Sequence, residues 1–496
     1  MKQFIKYIAL SSLALSLIAC TKSFKEVNTD PDRPGADLVP STNVLAYAER
    51  YASDNLFDEW FDLNESCGFS GQIAKWMYTE EGFYDFRPNV NDNSWAICYL
   101  VAANLQAIID RETEGSNMWA AATIFQCNIF QIISDRWGNV PYSEAGKLAK
   151  EGISSPKYDK QEDIYPDLLK RLKAAVAALD ESGDDLGAGD VMLNGDIALW
   201  KKYGNALRLR IAARIAAIDP VDAKATFEEI AAAGIPASND DNIFFSAWGN
   251  EYGEPWADYY LTRQQEYGVS QLMVNTLKSL SDPRLPVYAC QTADFVNGVA
   301  GADEYLGYQV GQKAYANVSK FSKLGDRFMS KDGALKGFSP WLRSCESYFA
   351  ISYAAQQGWS VGMTQKDAYE KAVTLSLEEN GISAADIATY LAGPGAYDGS
   401  LTQLFTQWWI SLFKNGQEAW SIYRMSGIPA GNAIAPDSKY PNHDVPPMAY
   451  TYPDTEANLN NANYAPEAAA EIDFFWGKKM WWDVRAHTPR DYNPAP

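Results

Sequence analysis

From Asn43 onward, apolar residues recur at three- and four-residue spacing in long blocks, the pattern of helices that bury one face. After a first helix beginning near Asn43, the blocks fall at about 93–111, 116–134, 161–180, 196–218, 269–280, 345–357, 364–380 and 401–415. In the 161–180 block Ile164, Leu168, Leu172, Val176 and Leu179 make one stripe, and Asp159 and Glu162 stand before it in capping-box spacing. In the next block Ile197, Trp200, Leu207, Ile211 and Ile215 repeat the stripe, while Arg208, Arg210 and Arg214 point elsewhere. The blocks come in adjacent pairs: 93–111 with 116–134, 161–180 with 196–218, and 345–357 with 364–380. This predicts a mainly α fold, a tetratricopeptide-like scaffold of helical pairs, although the full W-x2-L-G-x2-Y signature of that repeat is absent. Strand patterns are scarce. Irregular stretches at 64–92, 234–268, 284–340 and 425–470 are rich in Trp, Tyr, Asn, Gly and Pro, and loops of this length usually carry function.

The first twenty residues follow a different rule. Lys2 and Lys6 precede an apolar run from Ile8 to Ala19 that is too short for a comfortable membrane span. It ends Leu17-Ile18-Ala19-Cys20, which resembles the lipobox at which bacterial lipoproteins are cleaved and acylated. The expected organisation is a lipoprotein signal peptide at 1–19, a lipidated extended tether at 20–40, rich in Pro and Gly, and a single helical domain at 41–496. A second uncharged run, Gly115 to Ser134, contains Asn117, Gln126, Asn128, Gln131 and Ser134, so it reads as a buried globular helix and not as a span.

Charge and composition narrow the chemistry. A net charge of −21 over 496 residues offers no basic stripe for a nucleic acid partner. Two histidines, His443 and His487, leave little for metal sites or histidine catalysis, and neither metal nor cofactor is expected. Beyond Cys20, five widely separated cysteines form no CxxC pattern, and Cys98 and Cys127 sit in apolar helical patterns as core residues. The acidic group Asp180, Glu181, Asp184, Asp185 and Asp190 misses calcium-loop spacing and reads as a solvated loop. No nucleophile elbow, phosphate-binding loop, zinc helix or dinucleotide fingerprint occurs. Carboxylates are plentiful, so a paired-carboxylate glycosidase stays open on counting alone.

The positive signal is aromatic: 16 Trp, 29 Tyr and 21 Phe, concentrated partly in loops. Lys75 to Trp95 mixes Trp76, Tyr78, Phe83, Tyr84, Phe86 and Trp95 with polar groups; Trp248, Tyr252, Trp256, Tyr259 and Tyr260 make a second cluster. Flat rings with polar edges suit capture of sugars or peptides. Any one ring alone is read as packing, whereas the first cluster together is expected to supply at least one ligand contact. The candidate ligand residues are Trp76, Tyr78, Tyr84, Arg87 and Trp95, with Trp256 and Tyr259 second.

Ordered motifs then add a resemblance. They are Asn28-Thr29-Asp30-Pro31, Ser134 to Ala145 (SDRWGNVPYSEA), Pro156 to Glu162 (PKYDKQE), Trp200 to Arg210 (WKKYGNALRLR), Asp282 to Leu285 (DPRL) and Asn415 to Trp420 (NGQEAW), the last read as a helix end. Tyr452-Pro453 with Glu456 and Asn458, and Trp481-Trp482-Asp483, close the series. The set resembles the SusD/RagB family of nutrient-binding outer-membrane lipoproteins, particularly its SusD-like subgroup. Two positions depart from the family pattern: Arg424-Met425 replaces an Arg-Arg pair, and Ser344-Cys345-Glu346 replaces Y-A-E while keeping the glutamate. Most motif residues read as scaffold, with Asp135, Arg136 and the Arg-rich helix forming partly buried ion pairs. The resemblance implies a surface-displayed, non-enzymatic protein, anchored in the outer membrane through Cys20. It would pass an oligosaccharide or peptide ligand to a SusC-like TonB-dependent transporter. A surface glycoside hydrolase and a purely structural adaptor remain as alternatives.

If the anchor reading holds, Cys20→Ala releases the protein from membranes without lowering its melting temperature, because acyl chains at about 0.8 kcal/mol per CH₂ supply the attachment. Membrane fractionation with a parallel thermal melt checks this, and a variant still tightly bound without its transporter contradicts it.

Overall fold

A computed structural model describes residues 39–485 except 232, 249–252, 264–265, 330–336, 432–434, 441–445, 471–475 and 477–478. Cys20, the Asn28-to-Pro31 motif, Tyr252, His443 and His487 lie outside the described residues. The principal helices are α1 (Ser41–Asn55), α2 (Pro88–Arg111), α3 (Asn117–Trp137), α4 (Gln161–Ala178), α5 (Ile197–Ile215), α6 (Pro220–Ile230) and α7 (Pro255–Arg263). They continue as α8 (Gln271–Ser279), α9 (Ser344–Gln356), α10 (Gln365–Glu379), α11 (Ala384–Ala392), α12 (Leu401–Ser411) and α13 (Gly416–Ser426). A π-helix spans Glu59–Ser66. Among the described residues, strand is confined to three two-stranded antiparallel ladders: β1 (Ile73–Lys75) with β5 (Tyr267–Val269), β2 (Val140–Pro141) with β3 (Tyr158–Asp159), and β4 (Ile243–Phe245) with β6 (Ser339–Leu342).

Successive helices pack as neighbours, α1 on α2, α2 on α3, α3 on α4 and α4 on α5, after which α9 closes on α5 and α10 on α9. The architecture is thus the mainly helical, tetratricopeptide-like array that the periodicity predicts, with all three expected pairs in contact. α3 lies at its centre and is buried on nearly every side, so its polar residues must find partners inside. Gln126 donates to the Ala102 carbonyl (3.0 Å), Asn128 to the Tyr203 hydroxyl (2.9 Å) and Gln131 to Glu418 (2.7 Å). Cys98 and Cys127 are buried free thiols, as their patterns predict. At Gly204 of α5 an added Cβ would lie 2.3 Å from Val176 Cγ2, so the absence of a side chain sets how closely α4 and α5 approach.

The arginines beside the α5 stripe are buried and paired. Arg210 meets Glu346 (2.9 Å) and Arg214 meets Asp135 (3.3 Å) and Glu418, while Arg136 pairs with Glu65. The glutamate retained in Ser344-Cys345-Glu346 is therefore the partner of the Arg-rich helix. The sequence motifs also lock to one another. β2 and β3 join the SDRWGNVPYSEA and PKYDKQE blocks, and Gln161 donates to the Ser134 carbonyl (3.0 Å) while accepting from Trp481 N (2.7 Å).

Several local expectations need correction. Asp159 does not cap α4: Lys160 is the N-cap residue, and the Asp159 carboxylate instead accepts the Ser143 (2.7 Å) and Tyr142 (3.2 Å) amides. Asn415 starts a helix instead of ending one, its side chain accepting Glu418 N at the N-cap of α13. α2 begins earlier than its apolar pattern, with Pro88 in the first turn, where its missing N–H costs nothing. Asp190 is not solvated: it is buried and accepts from Leu193 N, Gly195 N and the Trp200 indole.

Burial also raises the pKa of several acids. It pushes Asp62 and Glu65 up to about 7, and pushes Glu49 well above the carboxylate range, with the neighbouring Asp190 charge adding to the effect. Acids with raised folded pKa values stabilise the fold below the unfolded pKa and lose that contribution as pH rises through the folded value. Melting temperature should therefore fall between about pH 5 and pH 8, and Glu49→Gln and Asp62→Asn, which keep an acceptor oxygen, should each flatten that slope. Slopes identical to wild type in both variants would contradict this.

Candidate functional site

The site grows out of the end of β1. Lys75 pairs with Tyr267 in the ladder, and Trp76 N extends it by donating to the Glu266 carbonyl (2.9 Å). The Trp76 ring crosses β5 at Gly268, where an added Cβ would lie 1.8 Å from Trp76 Cζ3, and packs edge-on against Tyr308 (6.3 Å). Tyr78 then adopts φ +51°, a conformation that costs an L-residue about 1–3 kcal/mol and persists only when its surroundings enforce it. Its ring stands 51% exposed, and 6.2 Å away, tilted by 61°, stands Tyr315, exposed by 64%.

Three loop segments are tied together beneath these rings. Ala316 N donates to the Trp76 carbonyl (3.3 Å), the Thr79 hydroxyl to the Lys313 carbonyl (3.3 Å), and the Tyr308 hydroxyl to the Ala314 carbonyl (2.6 Å). The third segment joins through Lys313 N to Asp437 (2.8 Å) and Lys439 N to the Phe83 carbonyl (2.8 Å). Charged Lys313 and Asp437 thus belong to the segments tied to the ring pair, and Lys439 pairs with Asp85 (2.8 Å). Single exposed tyrosines are ordinary, but two in contact above an anchored layer form a rigid, amphipathic platform with little entropy left to lose on binding.

Of the seven ligand residues expected from the sequence, Tyr78 alone joins this platform. Trp76, Tyr84, Trp95 and Trp256 are buried, which corrects their expected role as accessible rings. Trp76 is the pedestal. Tyr84 packs against Trp476 (5.4 Å), and Trp95 lies within α2, not in the loop before it, against Tyr99 (4.7 Å) and Trp137 (5.1 Å). Trp256 lies 5.1 Å under the ammonium of Lys414, a buried cation paired with Glu254 at 2.8 Å; burial lowers the lysine's pKa and Glu254 opposes that. Half-buried Tyr259 donates to Glu266 (3.0 Å) and faces Tyr267. Arg87 is partly exposed elsewhere, paired with Glu81 (3.1 Å) and lying over the Trp60 ring (5.2 Å). Tyr315 was not a candidate because it stands alone in sequence, GQKAYANVSK, where clustering gives no signal.

Fold and platform together define a helical-repeat scaffold with an exposed pair of tyrosines on its long loops. The family described as "Starch-binding associating with outer membrane" (SusD-like) matches residues 41–453, and the chain belongs to it. A solved chitin-binding protein shares 28% identity with a TM-score of 0.79, over 90% of this chain and all of that one (100%). A chitin-binding SusD homologue from Flavobacterium johnsoniae (22%, TM-score 0.77, covering 90% and 98% of the two chains) has the same fold. So does a SusD-like protein from Bacteroides thetaiotaomicron (23%, TM-score 0.76, covering 90% and 99%). No curated protein sequence matches. Among the described residues no helix is long and apolar enough to cross a membrane.

The pedestal and the platform should separate in mutagenesis. Tyr78→Ala and Tyr315→Ala should each change folding stability by no more than about 0.5 kcal/mol. Trp76→Ala, which opens a cavity, should cost about 3–5 kcal/mol. Denaturant titration of the three variants reads the difference, and equal losses would contradict the division.

Proposed function

We propose that this protein captures oligosaccharide at the outer-membrane surface and delivers it to a SusC-like TonB-dependent transporter, without performing chemistry itself. The observation that carries the reading is the contacting, exposed pair Tyr78 and Tyr315. Two tilted rings match the apolar C–H faces of successive sugar units, while polar groups of the tied segments, such as Lys313 and Asp437, meet hydroxyl or acetamido groups at their edges. The family description, with its starch and outer-membrane terms, and the chitin-binding relative at 28% identity support the ligand class. Anchorage follows from lipidated Cys20, whose acyl chains hold the body at the membrane and leave the loops free to meet ligand. The charged residues around the rings favour selective over tight capture, because a wrong ligand leaves polar groups unpaired.

Isothermal titration of the anchored protein against neutral chito- and malto-oligosaccharides tests this. Tyr315→Ala should weaken binding by about 1–3 kcal/mol, the scale of a lost central aromatic anchor, with the melting temperature unchanged. Full affinity in Tyr78→Ala and Tyr315→Ala, or binding of peptides and of no saccharide, would overturn the reading.

A further inference from the structure

The 76–87 segment ends at a second feature with its own chemistry. A cleft of about 580 Å³ opens between α1, the π-helix and the first half of α2, within the size range of small-ligand sites. On α2, Asn89, Val90, Asn93, Ala96, Ile97 and Leu100 recur along its wall, while Trp95, Cys98 and Val101 turn to the core. An outward helix face should be polar, yet Leu100 is 43% exposed here and the opposite wall is Tyr51 with Trp60. Tyr47 stacks on Tyr51 at 5.2 Å and 16°, continuing the aromatic wall of α1 toward solvent.

The charged groups of the lining already have partners. The Arg87 guanidinium is met by Glu81 at 3.1 Å and Glu80 at 4.0 Å. Asp58 caps the π-helix by accepting the Trp60 (2.9 Å) and Phe61 (2.6 Å) amides, and burial pushes its carboxyl above the usual range. The amides of Asn55, Asn89 and Asn93 complete the rim. No uncompensated charge invites an ionic ligand, and cleft walls made of helices offer no strand edge to an extended peptide. What fits is a ligand with apolar faces and neutral hydroxyl or amide edges.

We propose that the α1–α2 cleft is a second saccharide site, taking a short neutral oligosaccharide independently of the Tyr78–Tyr315 platform. It shares the ligand class of the proposed function but none of its residues, so either site stands or falls by itself. Trp60 and Tyr51 would hold the sugar faces, and Asn89 and Asn93 its hydroxyl or acetamido edges.

The test titrates the anchored protein, in zwitterionic detergent, with chitotriose and maltotriose, in wild type and in the Tyr78→Ala/Tyr315→Ala background. Ala96→Trp, which fills the cleft from its exposed wall without removing core packing, and Asn93→Leu are added to each, with thermal melts as folding controls. Saccharide binding that persists in the double-tyrosine background and drops at least about tenfold on adding Ala96→Trp or Asn93→Leu is the expected result. Wild-type binding that vanishes with the two tyrosines overturns the second site and leaves the proposed function standing. Residual binding indifferent to both cleft variants also overturns it. Binding lost with Ala96→Trp but untouched by the tyrosine changes supports the cleft and removes the platform. A wild-type protein that binds neither sugar overturns both.

Discussion

The carboxylate of Glu418 is the point on which the helical array depends. It receives Gln131 from α3, Arg214 and, at 3.6 Å, Arg210 from α5, and Arg210 carries on to Glu346 of α9. Four helices that are distant in sequence thus share one buried ionic cluster. Burial alone would raise the Glu418 pKa, but Arg210 and Arg214 outweigh it and hold the carboxyl below its usual range. A buried charge whose partner is removed costs about 3–5 kcal/mol, while a neutral hydrophobic replacement of the whole cluster would be cheaper. The cluster therefore contributes register more than raw stability: a helix shifted by one residue would strand a charge. Arg424 extends it, stacking 3.6 Å from Trp420 and donating to the Met448 carbonyl (3.0 Å). This single arginine does its work through a ring and carbonyls, so Met425 in place of a second arginine leaves the cluster intact.

Rigidity at the centre is what lets the loops be long. Irregular segments leave the short ladders, and buried aromatics pack beside them: Trp76 across Gly268 of β5, Trp256 against the Lys414–Glu254 pair. Most of the fully buried tryptophans, including Trp137, Trp200, Trp408, Trp409 and Trp420, instead pack the helices themselves. A ring buries large area with few torsions to freeze, which makes it an efficient fastener for irregular backbone. Among the described residues the most exposed rings are Tyr315, Tyr78, Tyr47 and Phe295, and only Tyr78 and Tyr315 meet each other across distant loops.

Sequence determined the helical scaffold. Its evidence was local: periodicity places the helix stripes, and motif residues such as Asp135, Arg210 and Glu346 are ion-pair types by identity alone. The helices α6, α7 and α11 fall outside the predicted blocks because, at 9 to 11 residues, they are too short to repeat a stripe, and spacing cannot distinguish a cap from a turn such as that at Asp159, which accepts two amides. Tertiary structure alone decided which aromatics meet solvent. Trp76 and Tyr78 are two residues apart and would share one face of an extended strand, yet one is buried and the other is half exposed, because the chain turns left-handed at Tyr78. That turn is enforced by contacts with residues near 313 and 437, over two hundred positions away, and no local pattern encodes it. The same holds for the cleft between α1 and α2: its walls are ordinary helix faces in sequence, and only the angle at which the core holds them apart makes a cavity.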